Sequence, residues 1–455
     1  MKFQLTAEEI ARYNQRRPAA AHGSVCHAPS RSLYFGMRGE VMVCCANRSH
    51  LAGRYPAQSI RECWTSAQNL RVREALTRGD MSQGCQGCYD LIRAGNYSQM
   101  PGHFYDHIPP HPDGWPRRMD FELTNTCNLE CVMCRGELSS SIRRNREQLP
   151  PIPSPYDDAF LDQLEEFLPH LSQSYFAGGE PFLIGQYLEI WDRMAVLNPG
   201  HHLSVQTNGT ILSDRIKRLL ERLRVSIALS IDSVHGDRLE AIRVNAQWDK
   251  VRAHLDWFLD YARRKGTLVT VSYTPMTLNW MEFPDAIRFC NGLGIKIFFN
   301  NLSYPRHLAF SSLPAEELAE IVAFLQRADL PAGNAVERAN RTAYLDLVAQ
   351  IDYWRREAEQ KAAGNTPAEV LRGEAWFEAL RAHVDKEIGR EAGVPLYEEV
   401  SGKLRAVFAH AIGQGQEEAL WAHMATVDFA MLCTYIPGKT EAELLTAFRT
   451  AVMQG

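Results

Sequence analysis

Three closely spaced cysteines constrain this chain more than any other feature. Cys127, Cys131 and Cys134 have a C-x3-C-x2-C spacing, and they follow a short apolar stretch at Phe121 and Leu123 that predicts a strand. On a tight loop after that strand, this spacing can turn three thiolates toward one point. Three thiolates hold three irons of a four-iron, four-sulfur cluster and leave the fourth iron open. The alternative is a zinc site, although structural zinc normally takes four protein ligands.

Length and charge narrow the class of protein. The chain has 455 residues, which suggests about three folded units. Its net charge of −5 argues against a nucleic-acid partner, since phosphate binding normally needs a basic surface. No apolar run approaches the roughly 18 residues that span a bilayer, and the N-terminus lacks the apolar segment of a signal peptide. We therefore expect a cytoplasmic protein that binds neither nucleic acid nor membrane.

A second group of cysteines precedes the first. The chain has 11 cysteines, and we do not expect a disulfide framework because the cytoplasm is reducing. Seven of the cysteines fall into two patterned groups. The second group consists of Cys26, Cys44, Cys85 and Cys88, and its pattern is C-x12-G-x4-C followed by C-x2-C. Two short apolar runs predict a hairpin between Cys26 and Cys44, and a helix is predicted from Ser59 to about Arg78. A zinc site of four thiolates is the alternative for this group. The other cysteines are expected to be small buried hydrophobes: Cys45, Cys63, Cys290 and Cys433.

The middle of the chain alternates strand and helix six times. The predicted strands are 119–125, 173–177, 202–207, 224–231, 268–274 and 295–300. This alternation predicts an α/β fold with a parallel sheet and right-handed crossovers. Ligands of such sheets bind at the carboxyl ends of the strands. We expect three regions, 1–110, 111–310 and 311–455, of which the last is helical and contains no motif that we can assign.

Polar and glycine residues collect where these strands end. The second strand is followed by Gly178-Gly179-Glu180-Pro181, in which the glycines permit close backbone approach and the carboxylate can accept hydrogen bonds from an ammonium group. The third and fourth strands end in Thr207-Asn208 and in Ser230-Ile231-Asp232. Arg243 follows in a stretch with helical character, and arginine suits bidentate recognition of a carboxylate.

Together these motifs resemble the radical SAM superfamily. The resemblance implies an open partial (β/α)6 barrel and a [4Fe-4S] cluster on Cys127, Cys131 and Cys134, whose open iron binds S-adenosylmethionine. It also implies cofactor contacts by Met133, Gly178, Gly179, Glu180, Pro181, Thr207, Asn208, Ser230, Asp232 and Arg243. In that family the residue before the third cysteine packs on the adenine, and the GGEP motif holds the amino group.

The second cysteine group resembles a twitch domain, the short form of the SPASM domain. That resemblance implies an auxiliary [4Fe-4S] cluster on Cys26, Cys44, Cys85 and Cys88. Such domains commonly follow the radical SAM core, whereas here the cysteines precede it. Because the order of the two regions is different, the family's contact between the auxiliary domain and the core is not assumed for this chain.

The family resemblance implies a reaction class but no particular substrate. We expect reductive cleavage of S-adenosylmethionine to a 5′-deoxyadenosyl radical, which abstracts a substrate hydrogen. A net oxidation or C–H modification would follow, with the auxiliary cluster as electron acceptor and flavodoxin or ferredoxin as donor. A small metabolite such as an aminocyclitol or sugar is favoured. The alternatives are a maturase of ribosomally made peptides or proteins and a non-enzymatic zinc-binding module.

Two irregular segments complete the interpretation. Residues 135–156 form a long connection that begins at the cysteine loop, and we expect it to be a substrate-facing lid. Residues 105–116 are rich in proline and histidine and are expected to be a linker. The nearby His103, His107 and His111 are interpreted as solvated rather than metal-binding. The oligomeric state is left open.

Overall fold

A nine-stranded sheet forms the centre of the molecule. The computed structural model describes residues 3–93, 95, 97, 100–363, 371–388, 390–424, 427 and 429–453. The strands are β1 Ser32–Phe35, β2 Glu40–Met42, β3 Gly53–Arg54, β4 Arg118–Phe121, β5 Gln173–Phe176, β6 His202–Thr207, β7 Arg224–Ser230, β8 Val269–Tyr273 and β9 Lys296–Phe299. Their order in the sheet is β3-β2-β1-β4-β5-β6-β7-β8-β9.

The strands β4 to β9 are parallel and succeed one another along the sheet. All six lie at the positions predicted from the alternation of short apolar runs and helical segments. The hairpin β1–β2 was also predicted, but it does not form a sheet of its own. Strand β1 pairs in parallel with β4, so that the sheet continues across residue 110, where we drew a region boundary.

An aromatic ladder on the buried face explains why the hairpin joins this sheet. Phe35 of β1 stacks on Phe121 of β4 with ring centroids 5.4 Å apart, and Phe121 stacks on Phe176 of β5 at 4.7 Å. All three rings are fully buried. Offset-stacked aromatic pairs stabilise a core beyond the area that they bury.

The helices are bounded as follows: α1 Ala7–Asn14, α2 Ile60–Trp64, α3 Ala67–Thr77, α4 Gln86–Arg93, α5 His103–Asp106, α6 Ser140–Asn145, α7 Asp158–Glu165, α8 Gly185–Leu197, α9 Asp214–Leu220, α10 Gly236–Ile242, α11 Trp248–Lys265, α12 Phe283–Leu293, α13 Ala315–Leu325, α14 Ala335–Ala363, α15 Gly373–Ile388, α16 Arg390–Gly413, α17 Glu417–Met424, α18 Phe429–Tyr435 and α19 Glu441–Met453. The result is an α/β fold with a mostly parallel sheet.

Three large apolar cores lie among the described residues. The largest lies between the sheet and helices α7 to α14. A second core joins α15 to α19, which form a C-terminal helical unit. The third lies among α1, α3 and α4, around the cysteines of the N-terminal group.

Four local predictions differ from the structure in detail. The single helix predicted from Ser59 to Arg78 is two helices, because the side chain of Ser66 caps a new helix by accepting a hydrogen bond from Asn69 N–H. The predicted lid, 135–156, contains helix α6, and the predicted linker begins inside helix α5. Cys45 is exposed rather than buried, whereas Cys63 and Cys290 are buried as expected.

Candidate functional site

The loop after β4 is held closed by its own polar side chains. Asn125 Nδ2 donates to the Gly136 carbonyl at 2.7 Å, and Ser139 Oγ donates to the Leu129 carbonyl at 2.6 Å. Serines at the start of α6 bond the first cysteine, since Ser141 Oγ donates to the Cys127 carbonyl at 2.8 Å. The cysteine loop and the start of the predicted lid are therefore one interlocked element.

The three cysteines of this loop come together. Cys131 donates a hydrogen bond to Cys134, which raises the pKa of the first thiol and lowers that of the second. Burial raises the pKa of Cys127 to about 11. Within the described ranges, no three or more His, Cys, Asp or Glu side chains are grouped to hold a single metal ion. A set of three thiols on one short loop does match the ligand number of a four-iron cluster with one open iron.

The glycines that follow β5 permit a contact that no side chain would allow. Gly178 and Gly179 both have positive φ, +77° and +36°. A Cβ on Gly179 would lie 2.1 Å from the Thr126 carbonyl oxygen, and one on Gly178 would lie 3.0 Å from that of Thr124. The backbone of this turn therefore packs directly on the cysteine loop.

Glu180 lies at the junction of three segments and is fully buried. Its carboxylate accepts hydrogen bonds from Thr207 Oγ1 and from Asn208 N–H, both at 2.7 Å, and from Phe182 N–H at 3.2 Å. Its own N–H donates to the Thr126 carbonyl at 2.7 Å. Burial raises the pKa of Glu180 to about 7, against the effect of these hydrogen bonds. Pro181 continues the turn as the first residue of a short 3-10 helix, Pro181–Leu183.

Asn208 connects this turn to the cysteine loop. Its Nδ2 donates to Asn128 Oδ1 at 3.0 Å and lies 4.0 Å from Cys127 Sγ. Its Oδ1 accepts from the N–H and the hydroxyl of Thr210, at 2.9 and 2.7 Å. Asn128 and Thr210 were not singled out in the sequence, because their role depends on a pairing between residues far apart in the chain.

The end of β7 carries a buried ion pair beside the cysteines. Arg243 Nη2 lies 2.7 Å from Asp232 Oδ2, and Arg243 Nη1 lies 4.0 Å from Cys131 Sγ. Asp232 Oδ1 also accepts a hydrogen bond from Thr274 N–H at 2.7 Å. Burial raises the pKa of Asp232 even though Arg243 opposes that effect. Ser230, two residues earlier, is buried at the last position of the strand.

Met133 lies in a small apolar group beneath the loop, with Ile242, Met276 and Leu308. Asn279, which follows β8, uses its side-chain amide to bond backbone groups. Its Nδ2 donates to the carbonyls of Asp232 and Thr274, and its Oδ1 accepts from Met276 N–H. It therefore holds the loop after β8 in place.

The N-terminal cysteines form a second group around a cavity. Cys44, Cys85 and Cys88 line a cavity of about 220 Å³, together with Asn47, whose Nδ2 lies 3.6 Å from Cys85 Sγ. Cys26 is not among the residues that line this cavity, but it lies close enough to Cys44 and Cys85 for its charge to raise the pKa of both thiols. Burial, together with the charge of a neighbouring cysteine, raises the pKa of Cys26 and of Cys88 to about 12.

The remaining candidates lie apart from both groups. Cys433 packs against the C-terminal helical core, and Cys63 and Cys290 lie in the main core. Of the histidines, His111 contacts His170 at 3.3 Å, and His103 Nδ1 lies 3.6 Å from Asp106 Oδ2. These histidine contacts are pairwise and involve no third ligand-forming side chain in the described part of the chain.

Comparisons with known proteins agree with this arrangement. Residues 121–290 match the family described as the Radical SAM superfamily. A probable GTP 3′,8-cyclase from Methanocella arvoryzae is 30% identical over 173 residues, which cover 37% of this chain and 49% of that protein. The AdoMet-dependent heme synthase of Methanosarcina barkeri is 28% identical over 137 residues, covering 28% of this chain and 34% of that protein. The chain thus spans half or less of the length of these two curated relatives.

Among solved structures, Streptococcus suis SuiB bound to S-adenosylmethionine matches with a TM-score of 0.34 and 12% identity, covering 53% of this chain and 49% of that chain. The segment that matches this family, residues 121–290, contains the cysteine loop and the GGEP turn. No helix in the described ranges is long and apolar enough to cross a membrane.

Proposed function

We propose that this chain is a radical SAM enzyme with two [4Fe-4S] clusters, one on Cys127, Cys131 and Cys134 and one on Cys26, Cys44, Cys85 and Cys88. The observation that carries the proposal is the convergence of the first three thiols on a loop that lies inside a radical SAM domain. When bound, the clusters and S-adenosylmethionine supply one-electron chemistry, namely cleavage of the cofactor to a 5′-deoxyadenosyl radical and acceptance of an electron from the substrate.

The residues of the chain bind and orient the cofactor. The GGEP turn brings its backbone against the cysteine loop, where carbonyl groups can accept hydrogen bonds from an amino group. Glu180 fixes this turn to Thr207 and Asn208 and adds a negative charge behind it. Arg243, paired with Asp232, offers a cation beside Cys131 to a carboxylate. Met133 presents an apolar surface to the adenine.

The second site fits a cluster better than a single ion. A cavity of about 220 Å³ far exceeds the roughly 10–15 Å³ that one water needs. A zinc ion with four thiolates at about 2.3 Å would leave little empty space between its ligands. Four thiolates would close all four irons of a cluster, so this group would transfer electrons rather than bind substrate.

The polar face of the sheet supports a small, polar substrate. Side chains that point away from the main core form a chain of hydrogen bonds across the strands. Tyr175 Oη donates to Gln206 Oε1 at 2.5 Å, Gln206 Nε2 donates to Ser272 Oγ at 3.3 Å, and Asn300 Nδ2 donates to the same hydroxyl at 2.6 Å. Such a row of amides and hydroxyls suits a ligand with several hydroxyl or amide groups.

Charged groups continue this face toward β1. Arg118 Nε donates to Asp120 Oδ1 at 2.8 Å, and Glu122 accepts from Arg48 Nη2 at 3.1 Å and from the hydroxyl of Tyr34. The pairs balance in charge, which favours a substrate without a large net charge. The curated relatives include proteins named for GTP and heme, which are small molecules rather than peptides. We therefore infer a small metabolite and a net oxidation or C–H modification.

Metal content and cofactor cleavage test the proposal. Anaerobic reconstitution should give about eight irons and eight sulfides per chain. Replacing Cys127, Cys131 and Cys134 by alanine should halve both and abolish formation of 5′-deoxyadenosine. Zinc in place of iron at both sites would show that the chain is a zinc-binding module instead.

We expect the two cysteine groups to have different roles in the reaction. Replacing Cys85 and Cys88 by alanine should preserve some 5′-deoxyadenosine formation, because the first group is intact, but should abolish product. A metabolite library and a peptide library, each analysed by mass spectrometry, distinguish the substrate classes. Modification of peptides alone would contradict the small-metabolite assignment.

A further inference from the structure

Tyr13 is a fully buried tyrosine whose hydroxyl lacks a partner. It lies on α1 in the N-terminal core with no exposed surface, and its Oη forms no hydrogen bond with any described residue. Burying a hydroxyl without a hydrogen bond destabilises a protein. Buried polar atoms therefore nearly always have partners, and an exception requires an explanation.

The position of this hydroxyl supplies that explanation. A Cβ built on Gly102 would lie 3.5 Å from Tyr13 Oη and 3.4 Å from Cys26 Sγ, so both atoms lie beside the same backbone position. The charges of Cys26 and of Cys88 are among the influences that raise the pKa of Tyr13, after burial itself. The hydroxyl thus lies next to the N-terminal cysteine group, and it joins no polar network among the residues that the structure describes.

Neighbouring groups hold the ring in this place. The Arg17 guanidinium lies 4.7 Å from the ring centroid of Tyr13, and it is fixed in turn by two hydrogen bonds to Asp106, of 2.7 and 2.8 Å. The His103 ring packs against Tyr13 edge-on at 5.5 Å. These contacts restrain the ring but leave its hydroxyl free to donate.

We propose that Tyr13 donates a hydrogen bond from its hydroxyl to a sulfur of the iron–sulfur group held at Cys26 and thereby raises the reduction potential of that group. The inference rests on the proposed auxiliary cluster. Hydrogen bonds to cluster sulfurs are one of the factors that set these potentials. Reduction adds negative charge to the group, and a donor stabilises the more negative state.

The test is a redox titration of the full-length chain in which Cys127, Cys131 and Cys134 are replaced by alanine, so that only the auxiliary signal remains. Tyr13→Phe should make its midpoint potential more negative. A tenfold fall in the one-electron equilibrium constant corresponds to about 59 mV. Tyr89→Phe is the matched control, because Tyr89 lies in the same core, on the helix that carries Cys88. The control should leave the potential unchanged.

A second measurement detects the proton itself. In the same background, electron–nuclear double resonance after exchange into D₂O should show an exchangeable proton coupled to the reduced cluster that is missing in Tyr13→Phe. This proton is in addition to those of the Ala28 N–H and the Asn47 amide beside Cys26 and Cys85. An unchanged midpoint potential in Tyr13→Phe, or absence of that proton, would contradict the role of Tyr13 while leaving the cluster proposal intact. Zinc or no metal at this site before any substitution of Tyr13 would instead overturn the auxiliary cluster and this inference with it.

Discussion

At the scale of single residues, Glu180 shows how the structure refines a motif. The sequence suggests a carboxylate that pairs with an ammonium group. In the structure both carboxylate oxygens already accept hydrogen bonds from protein donors, in a place without solvent. Glu180 therefore connects the GGEP turn to the end of β6.

Glu180→Ala should destabilise the fold and weaken S-adenosylmethionine binding together. The substitution leaves the Asn208 N–H and the Thr207 hydroxyl buried without an acceptor, at a cost of about 1–3 kcal/mol each. Denaturant unfolding measures the first effect and calorimetry the second, with iron content as a control for cluster loading. Full stability with reduced affinity would mean that Glu180 contacts the cofactor without supporting the turn.

The buried carboxyl also predicts a pH dependence. Burial raises the pKa of Glu180 to about 7 from its ordinary value of 4.5, so the folded chain holds a proton that the unfolded chain releases. The stability that this proton contributes is complete below pH 4.5 and is lost as pH rises through about 7. Between about pH 5 and about pH 8, the wild-type chain should lose more stability than Glu180→Gln, whose side chain does not ionise. Parallel thermal unfolding curves for the two proteins across this range would contradict the shift.

At the scale of secondary-structure elements, the close approach between the GGEP turn and the cysteine loop should be intolerant of any side chain. Gly179→Ala would place a methyl group 2.1 Å from the Thr126 carbonyl oxygen, at a φ of +36°. We expect a loss of more than about 1 kcal/mol of stability and weak cofactor binding. Gly185→Ala is the matched control, because Gly185 begins α8 with open space around its Cβ position. Equal unfolding midpoints for the two variants would rule out the steric argument.

The elements that sequence patterns predict well are those whose signal is local. All six parallel strands were predicted with ends within four residues of those observed, since each is a short apolar run before a polar or glycine-rich end. The capping box of α1 is another local signal, since Thr6 and Glu9 are three residues apart and both of its hydrogen bonds are present. The convergence of Cys131 and Cys134 likewise follows from a short spacing on one loop.

What the sequence could not supply depends on contacts between distant segments. The pairing of β1 with β4 has no local signal, because either strand alone is compatible with several neighbours. The bonds of Asn208 to Asn128 and of Glu180 to Thr207 cross from one loop to the next in the same way. In the sequence, Tyr13 is an ordinary apolar position of an amphipathic helix. Its position beside Cys26 becomes apparent only in the folded structure.

At the scale of the whole molecule, the C-terminal helical unit is joined to the cysteine loop by buried charges. Glu443, near the start of α19, lies 2.6 Å from Arg38 in the β1–β2 turn and 2.9 Å from Arg143 of α6. Lys439 contacts Glu137, three residues after Cys134. Burial opposes ionisation of Glu443, but the Thr440 N–H and the two arginines outweigh it and lower its pKa to about 2.

Glu443→Gln should loosen this attachment without unfolding either part. The substitution leaves two arginines facing each other across a neutral amide, and breaking a buried pair typically costs about 3–5 kcal/mol. Hydrogen exchange should become faster in α19 and in residues 135–147. Glu441→Gln provides the control, since Glu441 lies in the same helical turn but is exposed. If both variants exchange at the same rate, these ion pairs do not hold the C-terminal unit in place.

The parallel pairing of β1 with β4 also has a consequence for how the chain is made. Tyr34 and Glu122, which bond across this part of the sheet, are 88 positions apart. The N-terminal cysteine region and β4 must therefore both have left the ribosome before β1 can pair with β4. Until then the edge of β1 is an unpaired strand, which invites association with other chains. Nascent chains that end before β4 should accordingly depend on chaperones, whereas those that extend past β5 should need them less.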